Sequence, residues 1–452
     1  MNRCLFALSA FLFTVGVLAA QSPNQLATPA LDVKQAINQI EPLLEKEFSS
    51  LKELYIDLHK NPELSLQEVR TSAKMARELR SLGFEVTEKV GQTGVVGVLK
   101  NGTGPTLLIR TDMDALPVIE KTGLPYASKV QVRDKTDRVV GVMHACGHDM
   151  HMTCWTGTAR TLVALKDKWQ GTLVLIAQPA EEIGMGARIM LEDGLYKKFP
   201  KPDYCLALHV NAQTEVGTIQ FSDGLAMANV DTMEITIYGK GGHGAAPHTT
   251  VDPIVLAARV ILDLQTIVSR ETDPLDPAVV TVGSIHGGTK SNIIPNEVKL
   301  QLTIRSTKDS TRKNILDSIE RITKAAAIGA RAPEPKIDLI PTEFTPALIN
   351  DSKLTQKTVK LFGEAFGESK IQTRLPVMGG EDFSRYGQKG EIPIFMFFLG
   401  TIDKDRFADS KKAGGKPLPS THNDGYFPTP DLSIRTGVKA LTLAALNLIG
   451  KK

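Results

Sequence analysis

Three apolar segments of this chain lead directly into acidic or imidazole side chains. Each segment has the length and residue types of a β-strand that is buried on both faces, which is typical of an α/β sheet. The segments span residues 106–110, 172–177 and 204–208, and the polar residues that follow them are Asp112, Asp114, Glu181, Glu182 and His209. In open α/β sheets, ligands bind beyond the carboxyl ends of the strands. The pattern therefore predicts an α/β fold with a functional site at one edge of its sheet.

Each of these polar residues has an ordinary interpretation when it is taken alone. An aspartate at a strand end often caps a helix, adjacent glutamates commonly form a solvated face, and a single histidine is usually polar surface. Three strand ends that all deliver groups of ligand type favour a shared metal site instead.

A short motif between the first two segments strengthens the metal hypothesis. The stretch His144-Ala-Cys-Gly-His-Asp-Met-His151 carries three histidines, one cysteine and one aspartate in eight residues. Gly147 lets the backbone turn, so that Cys146 and His148 can face one cation. The motif is not a complete site, because zinc takes about four ligands and a two-metal site takes more. Further ligands are expected from elsewhere, and His422 is a late candidate.

Composition narrows the class of protein. At 452 residues the chain is too long for one compact core, which predicts two or three domains. The hydrophobic content of 42% and the charged content of 23% are those of an ordinary globular protein. The net charge of +3 is small for this length and indicates neither a nucleic-acid partner nor a membrane surface.

The first twenty residues have the pattern of a secretory signal peptide. A basic start at Met1-Asn-Arg3 precedes an apolar run and the small residues Ala19-Ala20. A membrane anchor is the alternative, but the run is short and a polar stretch follows it, so cleavage and a secreted or periplasmic location are favoured. No other stretch is expected to cross a bilayer, so no stable membrane anchor is predicted. Cleavage removes Cys4 and leaves an odd number of cysteines, so a disulfide scaffold is not expected.

The pattern of predicted strands and helices changes between residues 229 and 344. Strand and helix patterns follow one another in the order β-α-β-β-α-β, which is the ferredoxin-like arrangement. A glycine-rich loop, residues 239–248, lies within this region. We therefore predict a two-domain α/β protein with a mixed sheet, in which residues 30–228 and 345–452 form the metal-binding domain and residues 229–344 form an inserted one.

Several segments together resemble a known family. They are Leu58-His-Lys-Asn-Pro-Glu-Leu-Ser65, Arg110-Thr-Asp-Met-Asp-Ala-Leu-Pro117, His144-Ala-Cys-Gly-His-Asp149, Gln178-Pro-Ala-Glu-Glu182, residues 239–248, Asn292-Ile-Ile-Pro295, residues 378–383 and Ser420-Thr-His422. The family is that of the metal-dependent aminoacylases and carboxypeptidases, in the branch of hippurate hydrolases and auxin-conjugate amidohydrolases. The matching segments span nearly the whole chain in order.

The resemblance implies a hydrolase with two divalent metal ions and a lid domain that also forms a homodimer. The implied metal ligands are Cys146, His148, Glu182, His209 and His422. Glu181 is the implied general base, and Asp114 is expected to orient a ligand. His243 of the glycine-rich loop is expected to reach the partner's active site, while Asn292 and Arg305 are candidates for binding a substrate carboxylate. His144 and His151 are left with supporting roles.

These points predict a metal-dependent amidohydrolase that cleaves N-acyl amino acids or related small amides. A dipeptidase or carboxypeptidase with the same site is one alternative, and a non-catalytic binding protein on the same scaffold is another. Zinc, manganese, nickel and cobalt all remain possible, because mixed Cys, His and Glu ligation suits each of them. The polar segment 129–138 is longer than the family spacing, so the shape of the pocket near it is left open.

Overall fold

The computed structural model describes residues 31–133 and 137–451. The predicted signal peptide at residues 1–20, with Cys4, lies outside the described residues. The segment 129–138 is described in part, and residues 131–133 pair with residues 139–141 as a short antiparallel hairpin.

The helices begin and end where the sequence supplies caps and breaks. The first helix starts after Asp32, whose carboxylate accepts a hydrogen bond from the backbone N–H of Gln35 (2.9 Å), and it stops at the Asn61-Pro62 break. The helices of the described chain are α1 (Val33–Lys60), α2 (Val69–Ser81), α3 (His148–Ala164), α4 (Gly186–Glu192), α5 (Leu195–Lys198), α6 (Pro253–Thr266), α7 (Asp309–Gly329), α8 (Ser352–Phe366), α9 (Lys404–Ser410) and α10 (Pro430–Ile449).

The strands follow the apolar segments closely. Those of the described chain are β1 (Glu85–Val90), β2 (Gly94–Asn101), β3 (Thr106–Asp112), β4 (Gln131–Arg133), β5 (Val139–Gly141), β6 (Gly171–Gln178), β7 (Tyr204–Glu215), β8 (Ile219–Phe221), β9 (Leu225–Met227), β10 (Asn229–Tyr238), β11 (Gly242–His243), β12 (Ala278–Gly287), β13 (Ile293–Ile294), β14 (Glu297–Ser306), β15 (Lys336–Leu339), β16 (Leu348–Ile349), β17 (Ile371–Thr373) and β18 (Ile394–Ile402). Between helices α4 and α5, Gly194 takes a left-handed conformation (φ 91°) and separates the two.

The main sheet has eight strands in the order β1-β2-β6-β3-β7-β18-β8-β17. Its central strands β6, β3, β7 and β18 run parallel to one another. Strand β2 pairs antiparallel with both of its neighbours, and β8 pairs antiparallel with β18 but parallel with β17. Every residue of β18 is buried, as expected for a strand that is covered on both faces. Helices α1, α3 and α10 pack against one another over one core of this sheet. The predicted mixed α/β fold is confirmed.

Helix α10 corrects one expectation about membranes. By length and composition it could cross a membrane, contrary to the prediction that no stretch beyond the N-terminal run has this property. Most of its residues are buried against α1, α3 and β18. A core helix passes the same test of length and apolarity, so the helix gives only weak support for a membrane span.

Residues 229–339 form a second sheet with its own helices. Its strand order is β12-β14-β10-β15, and all neighbours are antiparallel. Along the chain the elements follow as β10-α6-β12-β14-α7-β15, which is the predicted β-α-β-β-α-β order. Ile235, Leu300, Val260 and Ile319 belong to a separate apolar core between this sheet and helices α6 and α7. Residues 31–451 nevertheless cluster as one compact unit, and the predicted domain boundaries and lid role stay predictions.

Candidate metal centre

Two of the three predicted strand ends meet at one edge of the main sheet. Strand β3 ends at Asp112, which lies opposite Gln178 at the end of its parallel neighbour β6. Glu181 and Glu182 follow β6 directly. The prediction that the third strand ends at His209 is wrong, because β7 keeps pairing with β18 beyond the point where His209 lies opposite Phe398.

Helix α3 presents the two ligand candidates of the histidine-rich motif. Gly147 occupies the N-cap position in a left-handed conformation (φ 78°). A Cβ atom at this position would lie 2.7 Å from Cγ2 of Val210, so only glycine fits both the backbone and the space. The turn places Cys146 and His148 on either side of it, and both side chains are buried.

The five predicted metal ligands converge at the sheet edge. Sγ of Cys146 lies 3.5 Å from Nε2 of His209. Oε1 of Glu182 lies 3.6 Å from Nε2 of His148, and Oε2 of the same glutamate lies 3.4 Å from Nε2 of His422. Ligand atoms of Cys146, His148 and His209 form one group within 4.8 Å, and those of Cys146, Glu182 and His422 form another.

The donor set fits divalent metal ions. Two donors that each lie about 2.0–2.3 Å from a tetrahedral ion are separated by roughly 3.3–3.8 Å, which matches the distances between these side chains. Both ring nitrogens of His148 and Oε1 of Glu182 are buried without a hydrogen-bond partner in the described chain. Such groups are costly to bury unless something else satisfies them. Two overlapping groups that share Cys146 are consistent with more than one ion.

Burial and neighbouring charges shift the pKa values of the candidate ligands. Burial, reinforced by Glu182, raises the pKa of the Cys146 thiol well above its ordinary value, and burial raises the pKa of Glu182 to about 8. Burial opposes protonation of His148, but Asp112 and the other carboxylates around it raise the pKa of its imidazole to about 10. Metal ligands must be deprotonated, so metal binding is coupled to the release of protons from these groups.

Asp114 fixes the turn that carries the two glutamates. Its carboxylate accepts hydrogen bonds from the backbone N–H groups of Glu181 (3.1 Å) and Glu182 (3.0 Å), and from the hydroxyl of Ser65 (2.7 Å). Oδ1 of Asp114 also lies 3.5 Å from Nδ1 of His148. The carboxylate thus holds the adjacent glutamates and one imidazole in a fixed relation, and the orienting role of Asp114 stays a prediction.

Replacing Asp114 by Asn is expected to weaken metal binding by about 10- to 100-fold, because partners that orient metal ligands contribute that much to affinity. Competition with a chromogenic chelator measures the change. Asp203→Asn is the matched control, since Asp203 also accepts a backbone hydrogen bond from β3 but at Thr106, at the other end of the strand. Equal metal affinity in both variants would remove Asp114 from the ligand-orienting role.

The two other histidines of the motif differ from each other. His151 uses both ring nitrogens: Nδ1 lies 2.7 Å from Oδ1 of Asp112, and Nε2 accepts a hydrogen bond from the backbone N–H of Val210 (2.9 Å). No ring nitrogen of His151 is left for a metal ion. His144 is buried with no hydrogen-bond partner in the described chain, and burial lowers its pKa to about 4.

A buried ion network lies beneath the candidate metal centre. The guanidinium of Arg110 donates hydrogen bonds to Asp112 (2.7 Å), Glu381 (2.9 Å) and Asp382 (3.2 Å), and all four side chains are almost completely inaccessible. Gln178 donates to Asp382 (2.7 Å) and joins the network. Glu181 has a carboxylate oxygen within 4.8 Å of Glu381 and Asp382.

Sequence reasoning missed this network as part of the site. One signal was available, because an arginine in an otherwise apolar strand must be paired when the strand is buried. The identity of its partners was not available, because Glu381 follows Arg110 by 271 residues.

A cleft of about 820 Å³ opens over the centre. Glu181, Glu182, His209 and His422 line it, together with Arg305 from β14. His243 and Asn292 are not among the residues that line it, and both are exposed. His243 pairs with Ile293 in the two-stranded ladder of β11 and β13, and Asn292 directly precedes β13. A single chain therefore brings Arg305 to the cleft but not these other two predicted site residues.

The cysteines are all reduced in the described chain. Cys146, Cys154 and Cys205 are free and buried. Only Cys146 lies among the candidate ligands.

Comparisons with known proteins agree with this geometry. The family model described as peptidase family M20/M25/M40 matches residues 108–412. Thermostable carboxypeptidase 2 of Saccharolobus solfataricus is 39% identical over 353 residues, which cover 77% of this chain and 85% of the relative. The hippurate hydrolase of Campylobacter jejuni is 37% identical over 342 residues, covering 75% of this chain and 85% of the relative.

A solved structure resembles the whole fold. The YXEP protein of Bacillus subtilis, a dinuclear metal-binding peptidase of the M20 family, superposes with a TM-score of 0.70 at 31% sequence identity, covering 89% of this chain and 99% of that one. The shared fold, the convergent ligand set and the extent of the sequence match lead to one conclusion. The chain belongs to peptidase family M20/M25/M40 and is a metal-dependent amidohydrolase with a centre for two divalent ions.

Proposed function

We propose that the enzyme hydrolyses the amide bond of N-acyl amino acids and releases a carboxylic acid and an amino acid. The observation that carries this proposal is the position of Arg305. Its half-buried guanidinium lines the same cleft as Glu181, and its only partners among the described residues are the hydroxyl of Thr303 (3.1 Å) and the carbonyl oxygen of Met378 (3.5 Å). A guanidinium without a carboxylate partner suits the carboxylate of an amino-acid substrate. The relative named hippurate hydrolase supports the same substrate class.

The residues of the cleft have different roles in the hydrolysis of the amide. Cys146, His148, Glu182, His209 and His422 would hold the divalent ions, which would supply Lewis acidity to the scissile carbonyl and to the attacking water. Glu181, whose Oε2 lies 3.8 Å from Nε2 of His148, takes the proton of that water and passes it to the leaving amine. Ala180 has a left-handed backbone (φ 52°), so the chain turns sharply before the two glutamates. Arg305 holds the substrate carboxylate and so places the amide beside Glu181.

A substrate panel tests the proposal. Protein reconstituted with zinc, manganese, cobalt or nickel is expected to cleave hippurate or N-acetyl amino acids, with release of the amine measured directly. Absence of hydrolysis with every metal and every N-acyl amino acid would refute the proposal.

A dipeptidase or carboxypeptidase is the second candidate, because the relative from Saccharolobus solfataricus is named a carboxypeptidase. Both activities use a free carboxylate on the substrate, so Arg305 serves either. A dipeptidase must also neutralise a free amino terminus. Comparison of glycyl-leucine with N-acetylglycyl-leucine and N-acetyl-leucine separates the alternatives, since only a dipeptidase prefers the first compound.

We also propose a homodimer that completes the site. His243 and Asn292 are exposed and do not line the cleft of their own chain, which is the arrangement expected of residues that serve a second copy. Helix α6 exposes Val255 (67%) and Leu262 (71%), and β12 is an edge strand of the second sheet. Exposed apolar residues beside a free strand edge are features that a partner subunit can cover.

In this proposal His243 helps to hold the tetrahedral oxyanion in the partner's active site. His243→Ala is therefore expected to lower kcat by about 10²–10³, as loss of one oxyanion donor does. If His243 serves the partner's centre, a one-to-one mixture of His243→Ala and Glu181→Gln chains recovers about a quarter of the wild-type activity after subunit exchange, because half of the dimers then hold one intact centre. The activity of the mixture is measured before and after subunit exchange, and light scattering follows the oligomeric state. Failure of the exchanged mixture to recover activity places His243 in the centre of its own chain, and full activity of His243→Ala alone places it outside catalysis.

Residues 1–20 support a further proposal, that the protein is exported and cleaved after the alanine pair of the predicted signal peptide. Terminal sequencing of the protein recovered from the periplasm or medium of its producing cells tests it. A mature chain that still begins at Met1 inside the cell would contradict it.

A further inference from the structure

A second arginine faces the cleft, and the hydrolysis of a simple N-acyl amino acid does not require it. Arg374 follows β17 and lines the cleft together with Arg305. Its backbone is held on both sides: its N–H donates to the carbonyl of Phe221 (2.7 Å), and its carbonyl accepts from the hydroxyl of Ser222 (3.0 Å). The side chain therefore projects from a fixed piece of backbone.

The guanidinium of Arg374 is placed by stacking. Its Cζ lies 3.8 Å from the centroid of the Phe398 ring, and the Phe398 ring lies 6.0 Å from the ring of His209, a metal-ligand candidate. Stacking on an aromatic face fixes the plane of a guanidinium and leaves its edge available for a bidentate contact with an anion. Arg374 thus presents its edge one aromatic layer away from the metal centre.

Neither arginine is neutralised by the described chain. No ion pair joins Arg305 or Arg374 to a carboxylate of the described residues, although the site is rich in acidic groups. Glu381 and Asp382 are engaged with Arg110, and Glu343, which also lines the cleft, lies in no ion pair with either arginine among the residues described. Burial lowers the pKa of both guanidinium groups, so each is partly removed from water without a counter-ion.

The two arginines also come from different parts of the fold. Arg305 belongs to β14 of the second sheet, where it lies opposite Val230, whereas Arg374 belongs to the main sheet side of the cleft. Partly desolvated cations without partners are costly unless a ligand supplies the anions. One carboxylate of the substrate satisfies one of them and leaves the other unpaired.

We infer that the preferred substrate carries two carboxylates, one for Arg305 and one for Arg374, so that it is an amide of dicarboxylic character. This inference rests on the proposed amidohydrolase function and specifies its substrate class. The second carboxylate has two possible sources: the side chain of an N-acylated aspartate or glutamate, or the free end of a dicarboxylic acid that acylates a neutral amino acid. Both sources present the same chemistry to Arg374.

Matched substrates test the inference. N-benzoylglutamate is compared with N-benzoylglutamine, and N-succinylglycine with N-succinamoylglycine, because each pair differs only in the second carboxylate. The charged member of at least one pair is expected to have a kcat/KM about 10- to 100-fold higher, as a charge-assisted contact supplies. The pair that shows the preference identifies the source of the carboxylate.

Variants assign the preference to Arg374. Arg374→Gln is expected to reduce the ratio of kcat/KM between charged and neutral members at least about tenfold, while Arg374→Lys retains part of it. Arg77→Gln is the matched control, since Arg77 is an exposed arginine of α2 outside the cleft, and it retains the full ratio. Ratios near one for both pairs in the wild type, or a ratio that survives in Arg374→Gln, would overturn the inference. Equal losses of kcat/KM in Arg374→Gln on the charged and the neutral substrates would also overturn the inference. Arg305 and Arg374 would then both hold the same carboxylate.

Binding measurements separate this inference from the proposed function. Calorimetric titration of the same pairs into metal-loaded Glu181→Gln protein reports affinity without turnover. Tighter binding of the charged members, lost in the double variant with Arg374→Gln, supports the two-carboxylate site even if no substrate of the panel is cleaved. Cleavage of hippurate together with equal binding within both pairs leaves the proposed function standing and removes the inference.

Discussion

Replacing Glu181 by Gln is expected to lower kcat by about 10²–10⁴ and to leave the metal content unchanged. The substitution preserves the shape of the side chain but removes the group that accepts a proton from the attacking water, and general-base catalysis contributes a factor of that size. Glu181 lies beside the ligand set, with Oε2 3.8 Å from Nε2 of His148, and has Glu381 and Asp382 as further neighbours. Steady-state kinetics and elemental analysis of the same preparation give both quantities.

Glu182→Gln is the matched control for this prediction. Both oxygens of Glu182 lie near imidazole nitrogens, 3.6 Å from His148 and 3.4 Å from His422, so the same chemical change one residue later is expected to lower the metal content as well as the activity. Unchanged activity in Glu181→Gln at full metal content would exclude Glu181 as the base. It would also revive the alternative of a binding protein on this scaffold. Loss of metal in both variants would mean that both glutamates are ligands.

The sequence indicated the main sheet and the histidine-rich part of the candidate ligand set because both depend on local patterns. Buried parallel strands appear as short apolar runs, and the residues after β3 and β6 therefore had to meet at one edge. The ligand motif at the start of α3 was visible because Gly147 and its neighbours lie within a few residues. Cys146, His148, Glu182, His209 and His422 are indeed brought together, although the assignment of roles among them came from family resemblance.

Other features of the fold and the site could not be predicted from the sequence, because they depend on contacts between residues far apart in the chain. The length of β7 beyond His209 is set by its pairing with β18, which lies almost two hundred residues later in the chain. The stacking of Arg374 on Phe398 needs the tertiary position of a strand whose sequence is simply apolar. Strand ends are the least determined by local sequence, since tertiary pairing decides where a strand stops.

The buried arginine of β3 gives the largest expected effect on stability. Arg110→Met is expected to lower the free energy of unfolding by about 3–5 kcal/mol, because it leaves the buried carboxylates of Asp112, Glu381 and Asp382 without their shared cation. The three carboxylates reach Arg110 at 2.7–3.2 Å. Glu381 does so through Oε1, while its Oε2 is buried with no hydrogen-bond partner in the described chain. Urea unfolding followed by tryptophan fluorescence measures the loss, since both Trp155 and Trp169 are buried.

Arg160→Met supplies the comparison that assigns this loss to burial. Arg160 also joins two carboxylates, Glu47 (2.9 Å) and Glu78 (2.7 Å), but these partners are partly exposed, and surface pairs contribute only about 0–1 kcal/mol each. Adding Glu381→Gln to Arg110→Met removes one of the uncompensated charges and is expected to recover part of the stability. An Arg110→Met chain no less stable than Arg160→Met would show that the carboxylates become neutral at little cost. The Arg110 network also reaches the candidate metal centre, because Asp112 anchors His151 and Glu381 neighbours Glu181. The guanidinium that pairs with the buried carboxylates therefore also positions groups around the metal centre.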